Sequence, residues 1–220
     1  MLQYFFLPIY FMLQGASATS AGIRLMPYAI GISVGSLGSG LIMNRTGRYY
    51  YLGTGSMLLF NIGAGLFCSL NIGTPIWPQY LYLFFFGTGY GSILTVGLLA
   101  LIAAVKHSQQ ATTTSSFYLF RAAGGTIGAA VGSAVFQTAL RKFLTANLGD
   151  SEVAQEIIGR VLSDFKEILK VPEPWGHLVV GGCMDALRMT FIAGSGMGAM
   201  GLVMITLMKE HKLHKTLDRE

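Results

Sequence analysis

The chain has 220 residues, 52% of them hydrophobic and only 11% charged, where a soluble domain carries roughly 25% charged residues. That balance excludes an ordinary soluble domain and describes a protein solvated by lipid. The formal net charge of +5 does not indicate nucleic-acid binding. Arg45, Arg48, Lys106, Lys209, Lys212 and Lys215 sit between or after apolar blocks, where a membrane protein collects its basic residues.

The first apolar block runs from Met1 to Gln14 and lacks the basic n-region of a cleavable leader. As a helix it would reach roughly 20 Å of the ~30 Å hydrocarbon core, so it reads as a shortened first span. A small polar turn, Gly15 to Ala21, leads into blocks from Gly22 to Met43, Tyr50 to Leu70 and Gln79 to Val105, each long enough to cross. The fifth block is Phe117 to Leu140 and the sixth Met189 to Met208. The expected fold is an all-α membrane protein, a six-helix half-bundle. Residues 1–140 hold five transmembrane helices, 141–188 form a lumenal loop, 189–208 the sixth helix and 209–220 a cytosolic tail.

Within that loop Val153, Ile157, Ile158, Val161, Leu162, Phe165, Ile168 and Leu169 recur at helical spacing. This predicts an amphipathic helix over 151–170, capped by Asp150 or Ser151 and stopped by Pro172 and Pro174. The helix would lie on the membrane surface, over the mouth of the bundle, or as a cap on its own loop. The short connections after the second and fourth blocks and the C-terminal tail carry the basic residues, which places both termini in the cytosol. The Asn44-Arg45-Thr46 glycosylation triplet then faces the cytosol and goes unused.

Glycines four apart recur as Gly31/Gly35, Gly87/Gly91, Gly124/Gly128/Gly132 and Gly194/Gly198, predicting close helix contacts with Gly128 midway along a small-residue face. No catalytic constellation is present: there is no HExxH or P-loop, and no paired carboxylates lie in a span. Cys68 and Cys183 lack any metal-binding spacing, so no metal or cofactor is expected. The sharpest single position is Arg121, about one turn into the fifth block. A cation at that depth either faces a water-lined cavity or snorkels to the interface. Asp185 and Arg188, three apart, are placed to pair at the start of the sixth helix.

Three stretches carry a family resemblance. Tyr4-Phe5-Phe6-Leu7-Pro8-Ile9-Tyr10-Phe11, Gly15-Ala16-Ser17-Ala18-Thr19-Ser20-Ala21-Gly22 and Arg24-Leu25-Met26-Pro27 resemble the start of the C-terminal half of fourteen-helix drug:proton antiporters of the major facilitator superfamily. Arg45-Thr46-Gly47-Arg48-Tyr49-Tyr50, and Gln110-Ala111-Thr112-Thr113-Thr114-Ser115 with Tyr118-Leu119-Phe120-Arg121, are similar to fungal vacuolar amino-acid importers, which include basic amino-acid transporters. The resemblance implies two six-helix halves plus two extra helices, with the substrate cavity between the halves. The first half, with most of the proton-coupling carboxylates, has no counterpart here. The expected partners are therefore the lipid bilayer, a small-molecule substrate with protons, and a missing N-terminal half.

Under that resemblance the chain is a half-transporter for proton-coupled export or vacuolar uptake of amino acids or cationic drugs, in the vacuolar membrane ahead of the plasma membrane. Substrate sites of such folds lie at the repeat interface. The candidate substrate-facing residues are Tyr4, Tyr10, Gln14, Tyr28, Thr88, Tyr90, Tyr118 and Arg121. Each aromatic is equally suited to a lipid-facing belt. The alternative reading is a truncated, non-transporting membrane protein, acting as a scaffold or regulator or without function.

Overall fold

The computed structural model describes residues 2–148 and 176–207. Among these, five helical stretches are long and apolar enough to cross a membrane, and α1 (Leu2–Leu13) is a shorter apolar helix. The fold is all-α, as the six-block pattern predicts.

Local chemistry explains the breaks. The chain turns after α1 at Gly15, which has φ 82°. Ser17 then caps α2 (Ala18–Arg24), its side chain accepting a hydrogen bond from the Ser20 amide at 3.2 Å. The second span thus begins inside the stretch read as a turn. Pro27 sits in the first turn of α3 (Met26–Thr46) and cannot continue the hydrogen-bond ladder of α2. The two helices still form one apolar stretch, Ala18–Thr46. Gly47, at φ 66°, ends α3 by donating its amide to the Met43 carbonyl. α4 (Tyr50–Leu66) runs into a 3-10 turn, Phe67–Ser69, and α5 (Ile76–Ala103) starts just after Pro75.

The last two helices outrun their apolar blocks. α6 spans Gln110–Leu148 and α7 spans Gly176–Thr206. A 39-residue helix such as α6 is about 58 Å long, nearly twice the hydrocarbon thickness. Hydropathy marks where lipid begins, whereas the helical backbone continues wherever no Gly-Pro break intervenes. Residues 141–148 and 176–188, expected in the lumenal loop, are therefore helical. The predicted helix at 151–170 and the tail at 209–220 lie outside the described residues. Asp185 and Arg188 fall inside α7, and Arg188 donates its Nε to the Cys68 carbonyl at 3.2 Å. Among the described residues no ion pair joins the two.

α5 is the central post. Of its apolar window 39% is buried, against 17% for those of α6 and α7. Glycines set its contacts. A methyl added at Gly31 would lie 2.5 Å from the Phe84 carbonyl oxygen, and one at Gly35 would overlap the Thr88 carbonyl. From the other side Gly87 faces the Tyr28 carbonyl and Gly91 the Ile32 carbonyl. Such backbone-to-backbone seating is what small residues permit in a membrane. On another face of α5, Gly89 meets the Phe60 backbone, and Gly63 of α4 meets that of Phe86.

The predicted glycine face of α6 behaves differently. A methyl at Gly124 would meet nothing within 4 Å, and at Gly128 only Leu2, at 3.9 Å. At Gly132 the obstacles are the Leu2 and Phe6 side chains. At Gly128 the neighbouring atoms, Leu2 Cβ at 3.9 Å and the Leu2 amide nitrogen at 4.0 Å, stand at ordinary contact distance, so Gly128 does not sit in a tight backbone seam.

α1 is buried along most of its length: Leu7, Tyr10 and Phe11 are within 1% of full burial and pack into one core with Phe67, Phe86, Phe136 and Phe191. Its anchor is polar. Gln3 donates from Nε2 to the Phe191 carbonyl at 2.8 Å, the Ala64 carbonyl at 3.2 Å and Ser195 Oγ at 3.1 Å, tying α1 to α4 and α7. Asn61 adds an α4–α7 tie by donating to the Gly198 carbonyl at 3.1 Å.

Candidate functional site

The close α3–α5 seam carries Tyr28 against α5, where its ring stacks on Phe86 at 5.7 Å and on Tyr90 at 6.3 Å. Tyr4 of α1 approaches the same ring at 4.5 Å. Phe60 of α4 closes the back of the cluster, 4.6 Å from Phe86 and 6.3 Å from Tyr90. From α6 comes the charge: Arg121 places its guanidinium carbon 6.0 Å from the Tyr90 ring centroid and 6.0 Å from that of Tyr118. That distance is the outer reach of a cation–π attraction.

Beside Arg121 lies an open groove of about 540 Å³, lined by Phe5, Tyr118, Ala122, Gly125, Thr126 and Ala129. The Thr126 hydroxyl donates to the Ala122 carbonyl of its own helix at 3.2 Å, and Arg121 is the only charged group among the described lining residues. Among the described residues the buried Tyr90 hydroxyl has no hydrogen-bond partner.

Of the eight predicted residues, Tyr4, Tyr28, Tyr90, Tyr118 and Arg121 meet in this cluster. Tyr10 and Gln14 do not. Tyr10 donates its hydroxyl to the Asn71 carbonyl at 2.9 Å. Gln14 donates to the Tyr10 hydroxyl at 3.0 Å and the Ile72 carbonyl at 2.9 Å. Its Oε1 accepts from Arg24 and from Gln79, both at 3.2 Å. The two residues therefore bolt the end of α1 to α2 and to the α4–α5 connection. Thr88 donates its hydroxyl to the Phe84 carbonyl at 2.8 Å and offers its backbone to Gly31 and Gly35 in the α3–α5 seam.

The residues that the sequence reading missed are amides. Gln3 and Gln79 are 3% and 1% exposed, and both stand in apolar helices where an amide needs interhelical partners. A lone Gln in an apolar block was the available signal.

An all-α bundle with five spanning helices and a wide belt of exposed apolar side chains, among them Leu37, Leu41, Phe120, Met200 and Leu207, is a multi-pass integral membrane protein. The multidrug resistance protein fnx1 of Schizosaccharomyces pombe is 33% identical over 205 residues, 92% of this chain and 39% of that protein. The vacuolar membrane amino acid uptake transporter fnx2 of the same yeast is 28% identical over 208 residues, 94% of this chain and 36% of that protein. The efflux pump dotC of Dothistroma septosporum is 28% identical over 219 residues, 97% of this chain and 37% of that protein. The chain is similar to major facilitator (MFS-type) transporters over more than nine tenths of its own length. It spans under two fifths of the length of the three relatives just described. No family model matches the chain, and no solved structure matches it. Its relatives are named as transporters, not enzymes.

Proposed function

We propose that this chain forms one half of a membrane transporter and that Tyr4, Tyr28, Tyr90, Tyr118 and Arg121 contribute a wall of its substrate path. The activity proposed is proton-coupled export or vacuolar uptake of amino acids or cationic drugs, in the vacuolar membrane, with an N-terminal half completing the cavity. The observation that carries this reading is the convergence of tyrosines from α1, α3, α5 and α6 around one cation at an open groove. Such grooves with few polar groups suit small ligands. The names of fnx2 and dotC, amino-acid uptake and efflux, support the substrate range. Tyr10, Gln14 and Thr88 take supporting places, holding the wall helices in position.

The reading is tested in inside-acid vesicles from cells expressing the longest product that contains this chain. Labelled lysine or rhodamine should accumulate above the empty-vector level, and a protonophore should abolish the gain. Residues 1–220 expressed alone should accumulate neither. Accumulation that survives the protonophore would remove proton coupling, and no accumulation of any amino acid or dye would remove transport.

Orientation is part of the proposal: both ends in the cytosol and the α6–α7 connection in the lumen, because the basic connections fall on one side. A glycosylation acceptor inserted near Leu148 should be modified, and one after Lys215 should not. The reverse pattern would invert the assignment.

A further inference from the structure

Resting on the transport reading, we infer that Arg121 seats the carboxylate of an amphipathic substrate whose aromatic or apolar body lies along the groove formed by Phe5, Tyr118 and Ala129. Arginine is charged at any accessible pH, and a cation at membrane depth is costly unless it is paired or wet. Asp185 is the only carboxylate side chain among the described residues. It lines a different groove, between α6 and α7, together with Lys142 and Arg188. Lys142 is itself 21 residues beyond Arg121 on the same helix, about 30 Å along the axis. Asp185 therefore cannot neutralise Arg121.

The tyrosines do not neutralise it either. Tyr90 and Tyr118 meet the guanidinium at 6.0 Å from their ring centroids, a contact with ring faces that leaves the N–H edge free. Among the described residues no hydrogen bond or ion pair engages those N–H groups. A planar fork of free donors matches a carboxylate in two-point geometry. The remaining lining, Phe5, Tyr118, Ala122, Gly125, Thr126 and Ala129, is apolar or small, with its one aliphatic hydroxyl already bonded within its own helix. The groove therefore offers a carboxylate one strong partner and an apolar body a surface. To a cationic ligand it offers repulsion, so a cation would need an acidic group from outside the described residues.

The test uses the full chain in lipid nanodiscs and three tritiated probes that share one ring: indole-3-acetate, indole-3-acetamide and tryptamine. Indole-3-acetate should bind about tenfold or more tighter than the amide, as a charge-assisted two-point contact over a neutral one implies, and tryptamine should bind most weakly. R121Q should remove the preference of acetate over the amide, and R121K should keep part of it. The probe series on the unaltered chain needs no variant to fold. Equal binding of acetate and amide, tryptamine binding best, an acetate preference that survives R121Q, or no binding of any probe would each overturn the carboxylate seat. Those results leave the transport reading standing if the vesicles accumulate substrate. Absent vesicle accumulation sinks the transport reading itself.

Discussion

Gly35→Leu is expected to reduce the folded yield of the chain in mild detergent by about an order of magnitude, whereas Gly38→Leu, three residues along the same helix, should leave it intact. The contrast follows from what each added side chain meets. At Gly35 even a methyl would overlap the Thr88 carbonyl and approach Ser92 Oγ at 3.0 Å, while at Gly38 nothing lies within 4 Å. The obstacle at Gly35 is helix backbone, which cannot rotate away as a side chain can. Separating α3 from α5 would also break the hydrogen bond from Ser92 Oγ to the Gly35 carbonyl, 3.0 Å, and open the reciprocal contacts at Gly87 and Gly91. Overpacking costs typically 1–3 kcal/mol in a core that can yield, and this seam can yield little. Gly38→Leu instead removes a flexible glycine from a helix interior, worth up to about 1 kcal/mol in the favourable direction. Monodisperse elution on size exclusion, with the melting temperature of the recovered fraction, measures both. Equal yields for the two variants would mean that the α3–α5 seam does not limit folding. Gly128→Leu belongs with the tolerated class, since among the described residues only Leu2, at 3.9 Å, lies within 4 Å of an added methyl.

That contrast also shows what the sequence could and could not convey. Spans two to four were legible because uncharged blocks of adequate length are rare outside membranes. The α3–α5 seam was legible because both partners carry glycines four apart, Gly31/Gly35 and Gly87/Gly91. The α6 glycines have the same spacing, but spacing says nothing of what stands opposite, and there it is the side chain of Leu2. The start of α7 was hidden because Asp185 and Arg188 interrupt its hydropathy without interrupting its helix.

The site divides in the same way. Tyrosines in four helices were found by residue type, yet type does not fix helix rotation. Tyr4 and Tyr10 are six residues apart on α1, which turns them about 120° from each other. One reaches Tyr28 and the other Asn71. Thr88 and Tyr90 are two apart on α5, about 200° round the helix, so Thr88 faces the glycines of α3 while Tyr90 lies under Arg121.

Arg121→Gln is expected to abolish substrate accumulation in vesicles, to below roughly a tenth of the unaltered rate at equal protein level, when introduced into the longest product that contains this chain. Gln has similar reach and keeps an amide donor, so the loss isolates the charge. Folding should not suffer, because Arg121 is exposed and its ring contacts with Tyr90 and Tyr118 are at the distance limit of that interaction. Arg121→Lys should recover only part of the rate, since a compact ammonium keeps the charge but loses the planar fork. The rival account, an arginine that merely snorkels to the membrane surface, makes opposite demands. Lysine snorkels as well as arginine, so Lys should then equal Arg, and Gln should cost little. The ratio of the Lys to the Gln rate therefore decides between the two. A Gln variant that transports normally at equal expression would remove Arg121 from the substrate path and leave the tyrosine cluster as helix packing alone.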